Sequence, residues 1–132
     1  MRIGADYYPE HWDKERWKID AEMMVKANIK VIRIGEFAWS IYEPEEGKYE
    51  FDWMDEALDF FGKYGIKVVM CTPSATPPKW MVDKYPDILQ NDIHGNPKLF
   101  GTRKHYCFNS QTYREKTKKL NTLIAKRYAK HP

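Results

Sequence analysis

The chain has 132 residues, a formal net charge of +3 and 42% apolar residues. That suffices for one domain with a real core, but most complete α/β barrels need roughly 200 residues or more. Scattered charge of both signs argues against a nucleic-acid surface, and two cysteines without a C-x-x-C spacing make no disulfide framework.

The first residues enter a strand-like run at once. No apolar run approaches the roughly 18 residues of a membrane span. The expectation is therefore a chain without a leader peptide, in a reducing cytoplasm, with no membrane partner. Arg2-Ile3-Gly4-Ala5-Asp6-Tyr7-Tyr8 reads as the first strand, ended by Pro9, with Asp6 and Glu10 at its carboxyl end. Asp13 can cap a helix from about Lys14 to Ala27, with Trp17, Ile19, Ala21, Met24 and Val25 as its apolar face and Asn28 as a left-handed stop.

Ile29-Lys30-Val31-Ile32-Arg33-Ile34-Gly35 is the second strand. An arginine among isoleucines is costly to bury alone, so Arg33 calls for a carboxylate partner or a polar mouth. Glu36 stands one residue past Gly35. A polar turn at Glu43–Gly47 leads to a helix from about Trp53 to Tyr64, with Asp52 as N-cap and Ala57, Leu58, Phe60 and Phe61 as its buried stripe; Gly65 ends it. Ile66-Lys67-Val68-Val69-Met70-Cys71-Thr72 is the third strand. Its nearly unbroken apolar run fits burial on both faces, with Cys71 in the core.

A loop of about thirty-five residues follows, broken by prolines and glycines, and loops that long are commonly functional. It holds Trp80, Tyr85, Phe100, Tyr106 and Phe108 as anchors, which argues against disorder. Residues 77–83 can form a short helix capped by Thr76. Arg103, Lys104, His105, Cys107 and Asn109 fall within seven positions. The last helix runs from about Gln111 to Tyr128, with Ser110 as N-cap and Leu120, Leu123, Ile124 and Tyr128 inward; Lys116–Lys119 reads as its solvated face.

The order β-α-β-α-β-loop-α gives a parallel sheet with right-handed crossovers. Three such units form either a small open sheet or the opening of an eight-fold barrel, and periodicity does not choose between them. Aromatic residues reach 15%. Those in loops (Tyr7, Tyr8, Trp12, Phe37, Trp39, Trp80 and Tyr106) suit the stacking of sugar faces or packing beneath loops.

Four blocks carry a resemblance: Asp6-Tyr7-Tyr8-Pro9-Glu10-His11-Trp12, Arg33-Ile34-Gly35-Glu36-Phe37-Ala38-Trp39, Thr72-Pro73-Ser74-Ala75-Thr76-Pro77-Pro78-Lys79-Trp80 and Arg103-Lys104-His105-Tyr106-Cys107. Together, in this order, they resemble the start of the glycoside hydrolase family 42 β-galactosidases, over essentially the whole chain. The resemblance implies a (β/α)8 TIM barrel, incomplete here, of which this chain supplies the first three βα units. It implies a retaining hydrolase of terminal β-D-galactose, with a β-galactoside as partner and no required cofactor; the parent is then expected to be a homo-oligomer.

Retention needs two carboxyl groups about 5–5.5 Å apart. The family's acid/base Glu follows an Asn on the fourth strand and its nucleophile comes much later, so neither is expected within residue 132, and the segment alone is expected to be inactive. Arg103 matches an arginine that hydrogen-bonds galactose. Cys107 matches a cysteine that, in some members, binds a structural zinc with three downstream cysteines, so it is a ligand only in a longer chain. Glu36 is then better read as a tie to Arg33 than as half of a catalytic pair. The rival reading is a non-enzymatic half-barrel that binds carbohydrate or assembles with a partner fragment.

Overall fold

The structure, a computed structural model, describes residues 3–102 and 104–131. Three parallel strands form one open sheet in the order β1-β2-β3: β1 Ile3–Asp6, β2 Ile29–Ile34 and β3 Lys67–Met70. The intervening helices are α1 Lys14–Lys26, α2 Trp39–Tyr42 and α3 Asp52–Lys63; α4 Lys79–Lys84 and α5 Gln111–Tyr128 follow β3.

One face of the sheet is covered and the other is not. Val31 pairs with Gly4 on one side and Lys67 on the other, and Arg33 pairs with Asp6 and Val69. Residues in register share a face, so Gly4, Asp6, Val31, Arg33, Lys67 and Val69 line one side. Ile32 and Ile34 point the other way and are fully buried, where α1 packs on β2 and α3 on β3. The uncovered side is the one that faces inward when such units close into a barrel.

Two-sided burial of β3 is therefore not found: Val69 is 51% exposed. An apolar run signals burial on both faces only where both faces have cover, and Val69 lies on the uncovered one. Cys71 is half-buried at the strand's carboxyl end instead of lying in the core. Ile19 and Val25 are also exposed, since the arc of α1 that meets the sheet is narrower than its apolar residues suggest; Trp17, Ala21 and Met24 fill it.

Local signals fix most helix ends. Asn28 takes φ 57° after α1, and Gly65 takes φ 68° after α3. Gly35 takes φ 82°, and a Cβ there would meet Met54 Cε at 3.1 Å, so β2 can turn out of the sheet only with a glycine. Ser110 caps α5, its Oγ accepting from the Tyr113 amide at 3.2 Å. Asp52 is the first residue of α3 and Phe51 its cap; the carboxylate of Asp52 still favours the positive end of the helix. Thr76 does not cap α4 either: Pro78 precedes that helix, which makes no side-chain cap bond.

Candidate functional site

The carboxyl ends of the strands bring the first two sequence blocks together. Arg33 Nη1 donates to Glu36 Oε2 at 2.9 Å and to Asp6 Oδ1 at 3.2 Å. The Tyr8 hydroxyl donates to the same Glu36 oxygen at 3.4 Å. The hydrogen bonds it donates to Glu36 and Asp6 hold the guanidinium more firmly charged than usual. Burial raises the pKa of the Tyr8 hydroxyl, and the Glu36 charge adds to this. Burial also pushes the Cys71 thiol up, against a smaller pull from Arg33. Arg33 thus has the carboxylate partner its position demands, and Glu36 is that partner.

Aromatic side chains frame this cluster. Tyr8 stacks on Phe37 (5.8 Å, 19°) and on His11 (5.4 Å, 15°). The two tryptophans considered for a sugar wall do other work. Trp39 is fully buried and donates to Glu43 Oε2 at 3.0 Å, while Trp80 donates to the Glu43 carbonyl at 2.8 Å. The Glu43 carboxylate also accepts from the Gly47 amide at 2.9 Å, so this one buried residue ties α2 to its following turn through its carboxylate and to α4 through its carbonyl. Tyr106 is likewise packed away, stacked on Tyr113 at 4.6 Å.

The long loop is ordered by such ties. Glu46 pairs with Lys84 and Lys116 and accepts from the Tyr85 hydroxyl at 2.8 Å. These hydrogen bonds, that of Lys116 foremost, lower its pKa to about 2. Lys116 is therefore a fastener for α5 and not part of a merely solvated face. Residues 89–98 fold back on themselves, with Lys98 donating its amide to the Gln90 carbonyl at 2.8 Å. His105 is buried, its Nδ1 2.8 Å from the Thr102 carbonyl.

Arg103, the residue matched to galactose binding, lies outside the described residues. Its neighbours Thr102 and His105 line a cleft of about 430 Å³ with Phe37, Ser40, Phe100 and residues 76–79. Sequence reasoning did not find this cleft, because it forms between loops distant in the chain. Glu10 was also underread: both carboxyl oxygens are buried with no hydrogen-bond partner among the described residues, and burial raises its pKa. Its only signal is the position beside Pro9 at a strand end. Cys107 is half-buried, and among the described residues no three His, Cys, Asp or Glu converge to hold a metal. Among the described residues Cys107 finds no partners for a zinc site. Among the described residues no helix is long and apolar enough to cross a membrane.

A family model described as β-galactosidase, that of glycoside hydrolase family 42, matches residues 6–132. The chain belongs to the family 42 β-galactosidases. It is 54% identical over 126 residues to a β-galactosidase of Thermus thermophilus, and 48% identical over 132 residues to β-galactosidase BgaH of Haloferax lucentense. These alignments cover 96% and 100% of this chain but 20% of each relative. The solved β-galactosidase of Halorubrum lacusprofundi superposes with a TM-score of 0.95 at 46% identity, over 100% of this chain and 20% of that one. The chain therefore spans about a fifth of its family relatives, and its open sheet corresponds to the first three βα units of their TIM barrel.

Proposed function

We propose that this chain is the amino-terminal part of a retaining β-galactosidase and supplies one wall of its galactose site. The observation that supports this most is the Asp6–Arg33–Glu36 cluster on the uncovered face of a family 42 sheet. Both carboxylates accept from one guanidinium nitrogen. A retaining pair needs one carboxyl free to carry a proton and another free to attack carbon. Arg33 instead neutralises Asp6 and Glu36 together, which suits a scaffold under a sugar. The acid/base and the nucleophile then come from later strands of the barrel, and the segment alone has no turnover.

Arg103 stands in the long loop, where a guanidinium fork offers paired donors to galactose hydroxyls. A structural zinc through Cys107 needs its other ligands from beyond this chain. The substrate is a β-galactoside, and no cofactor takes part in the hydrolysis itself. The test is an assay of the purified chain with a chromogenic β-galactoside. No release above the buffer rate is expected, and saturable turnover refutes the assignment of the catalytic pair to later strands.

The exposed Ile3, Ile19, Met23 and Val69 favour one second reading, a half-barrel that works by assembling with a partner fragment. Such a module is monodisperse and melts cooperatively, whereas a segment of a larger barrel associates through its uncovered face.

A further inference from the structure

His105 is buried in the long loop, and the reading above gives it no task. We propose that it is a positioning residue for galactose binding: its imidazole ties together the two legs of the loop that flank Arg103 in the chain, and so fixes where that arginine is presented. This rests on the β-galactosidase reading and on the sugar contact given there to Arg103.

The leg that follows Arg103 is anchored through its backbone. The His105 carbonyl accepts from the Gln90 amide at 2.7 Å, and the Cys107 amide donates to the Ile88 carbonyl at 2.7 Å. These bonds pair Tyr106 with Leu89, beside a fully buried Ile88. Tyr106 in turn stacks on Tyr113 of α5. The leg that precedes Arg103 is bound to itself. Thr102 donates to the Leu99 carbonyl from its amide at 3.3 Å and from its hydroxyl at 2.8 Å, while Leu99 and Phe100 are exposed.

The imidazole spans the two legs. His105 Nδ1 stands 2.8 Å from the Thr102 carbonyl. A carbonyl can only accept, so Nδ1 carries the proton and donates it there. The Phe100 ring meets the imidazole edge-on at 5.6 Å, a second contact from the same leg. Inside the span Lys104 takes φ 58°, a conformation that a residue with a side chain keeps only where its surroundings hold it. An apolar side chain would serve packing alone, and burying a polar ring is costly unless it is paired. His105 Nε2 has no partner among the described residues, so the ring acts through Nδ1. The tie matters because a guanidinium must meet sugar hydroxyls closely; a shift of about 1 Å in a binding group can cost on the order of 100-fold in rate.

The test uses residues 1–132 grafted in place of the matching fifth of the Thermus thermophilus β-galactosidase. His105→Asn keeps an N–H one bond beyond Cγ, where Nδ1 stands, whereas His105→Gln carries its amide one carbon further and loses the tie. His105→Gln is expected to lower kcat/KM for a chromogenic β-galactoside about ten-fold, and His105→Asn less than about three-fold. In an Arg103→Ala background His105→Gln is expected to add nothing, since both changes remove the same contact. Equal falls for Asn and Gln, or a Gln effect undiminished beside Arg103→Ala, overturn the proposal, because lost packing alone gives those results. The imidazole ¹⁵N shifts of the unsubstituted chain test the tie without any variant: a proton on Nδ1 at neutral pH is expected, and a proton on Nε2 alone overturns it. A graft without turnover, or one indifferent to Arg103→Ala by itself, overturns the β-galactosidase reading and the proposal with it.

Discussion

Glu46 shows what a single residue contributes to the order of the long loop. Lys116, Lys84 and Tyr85 hold its carboxyl at about 2, below the ordinary 4.5. A depressed folded pKa gives stability that is present above the unfolded value and lost as pH falls through the folded one. The wild-type chain should therefore lose thermal stability between about pH 4.5 and 2, and Glu46→Gln should flatten that part of the Tm profile. Tyr7 offers a second test. Its hydroxyl donates to buried Asp20 at 3.0 Å, joining the end of β1 to α1. Tyr7→Phe should cost about 1 kcal/mol in urea unfolding, the loss of one buried bond to a carboxylate that keeps Arg16 as partner. Arg33 was legible in the sequence because an arginine between isoleucines demands a partner. Glu46 was not, because its partners are 38 to 70 positions away and no local pattern marks them.

At the scale of elements, the helices that carry their own stop and start signals were readable. Asn28, Gly65 and Ser110 each fix a terminus through backbone conformation or one capping bond. Ser110→Ala should cost about 1 kcal/mol, since its Oγ accepts from Tyr113 and donates to Asp87 at 3.0 Å. Leu120→Ala, at a fully buried site of α5, should cost about 3 kcal/mol. Both are read from denaturant midpoints, and the larger effect belongs to packing. The strand β3 was misread for a physical reason: its composition answers to the closed barrel, while the chain presents one face uncovered. The long loop was legible as ordered from its aromatics, but its cleft depends on which loops meet, and spacing does not encode that.

At the scale of the molecule, the open sheet sets the behaviour in solution. Ile3 and Val69 are each about half exposed, beside strand edges with unpaired backbone groups. Light scattering should show concentration-dependent association of the chain, reduced by Val69→Thr with little change in its denaturant midpoint. The resemblance of four blocks located the family, and matches to a fifth of each relative fix what part of the barrel this is. These residues build the first three βα units of a family 42 barrel, and the proposed galactose wall is open to direct test. The most direct measurement grafts residues 1–132 in place of the matching fifth of the Thermus thermophilus β-galactosidase, then determines kcat/KM for a β-galactoside with and without Arg103→Ala. An active chimera is expected, with an activity that Arg103→Ala lowers on the order of 10- to 100-fold. A chimera that folds to the parent's melting cooperativity yet hydrolyses nothing, or one indifferent to Arg103→Ala, contradicts it.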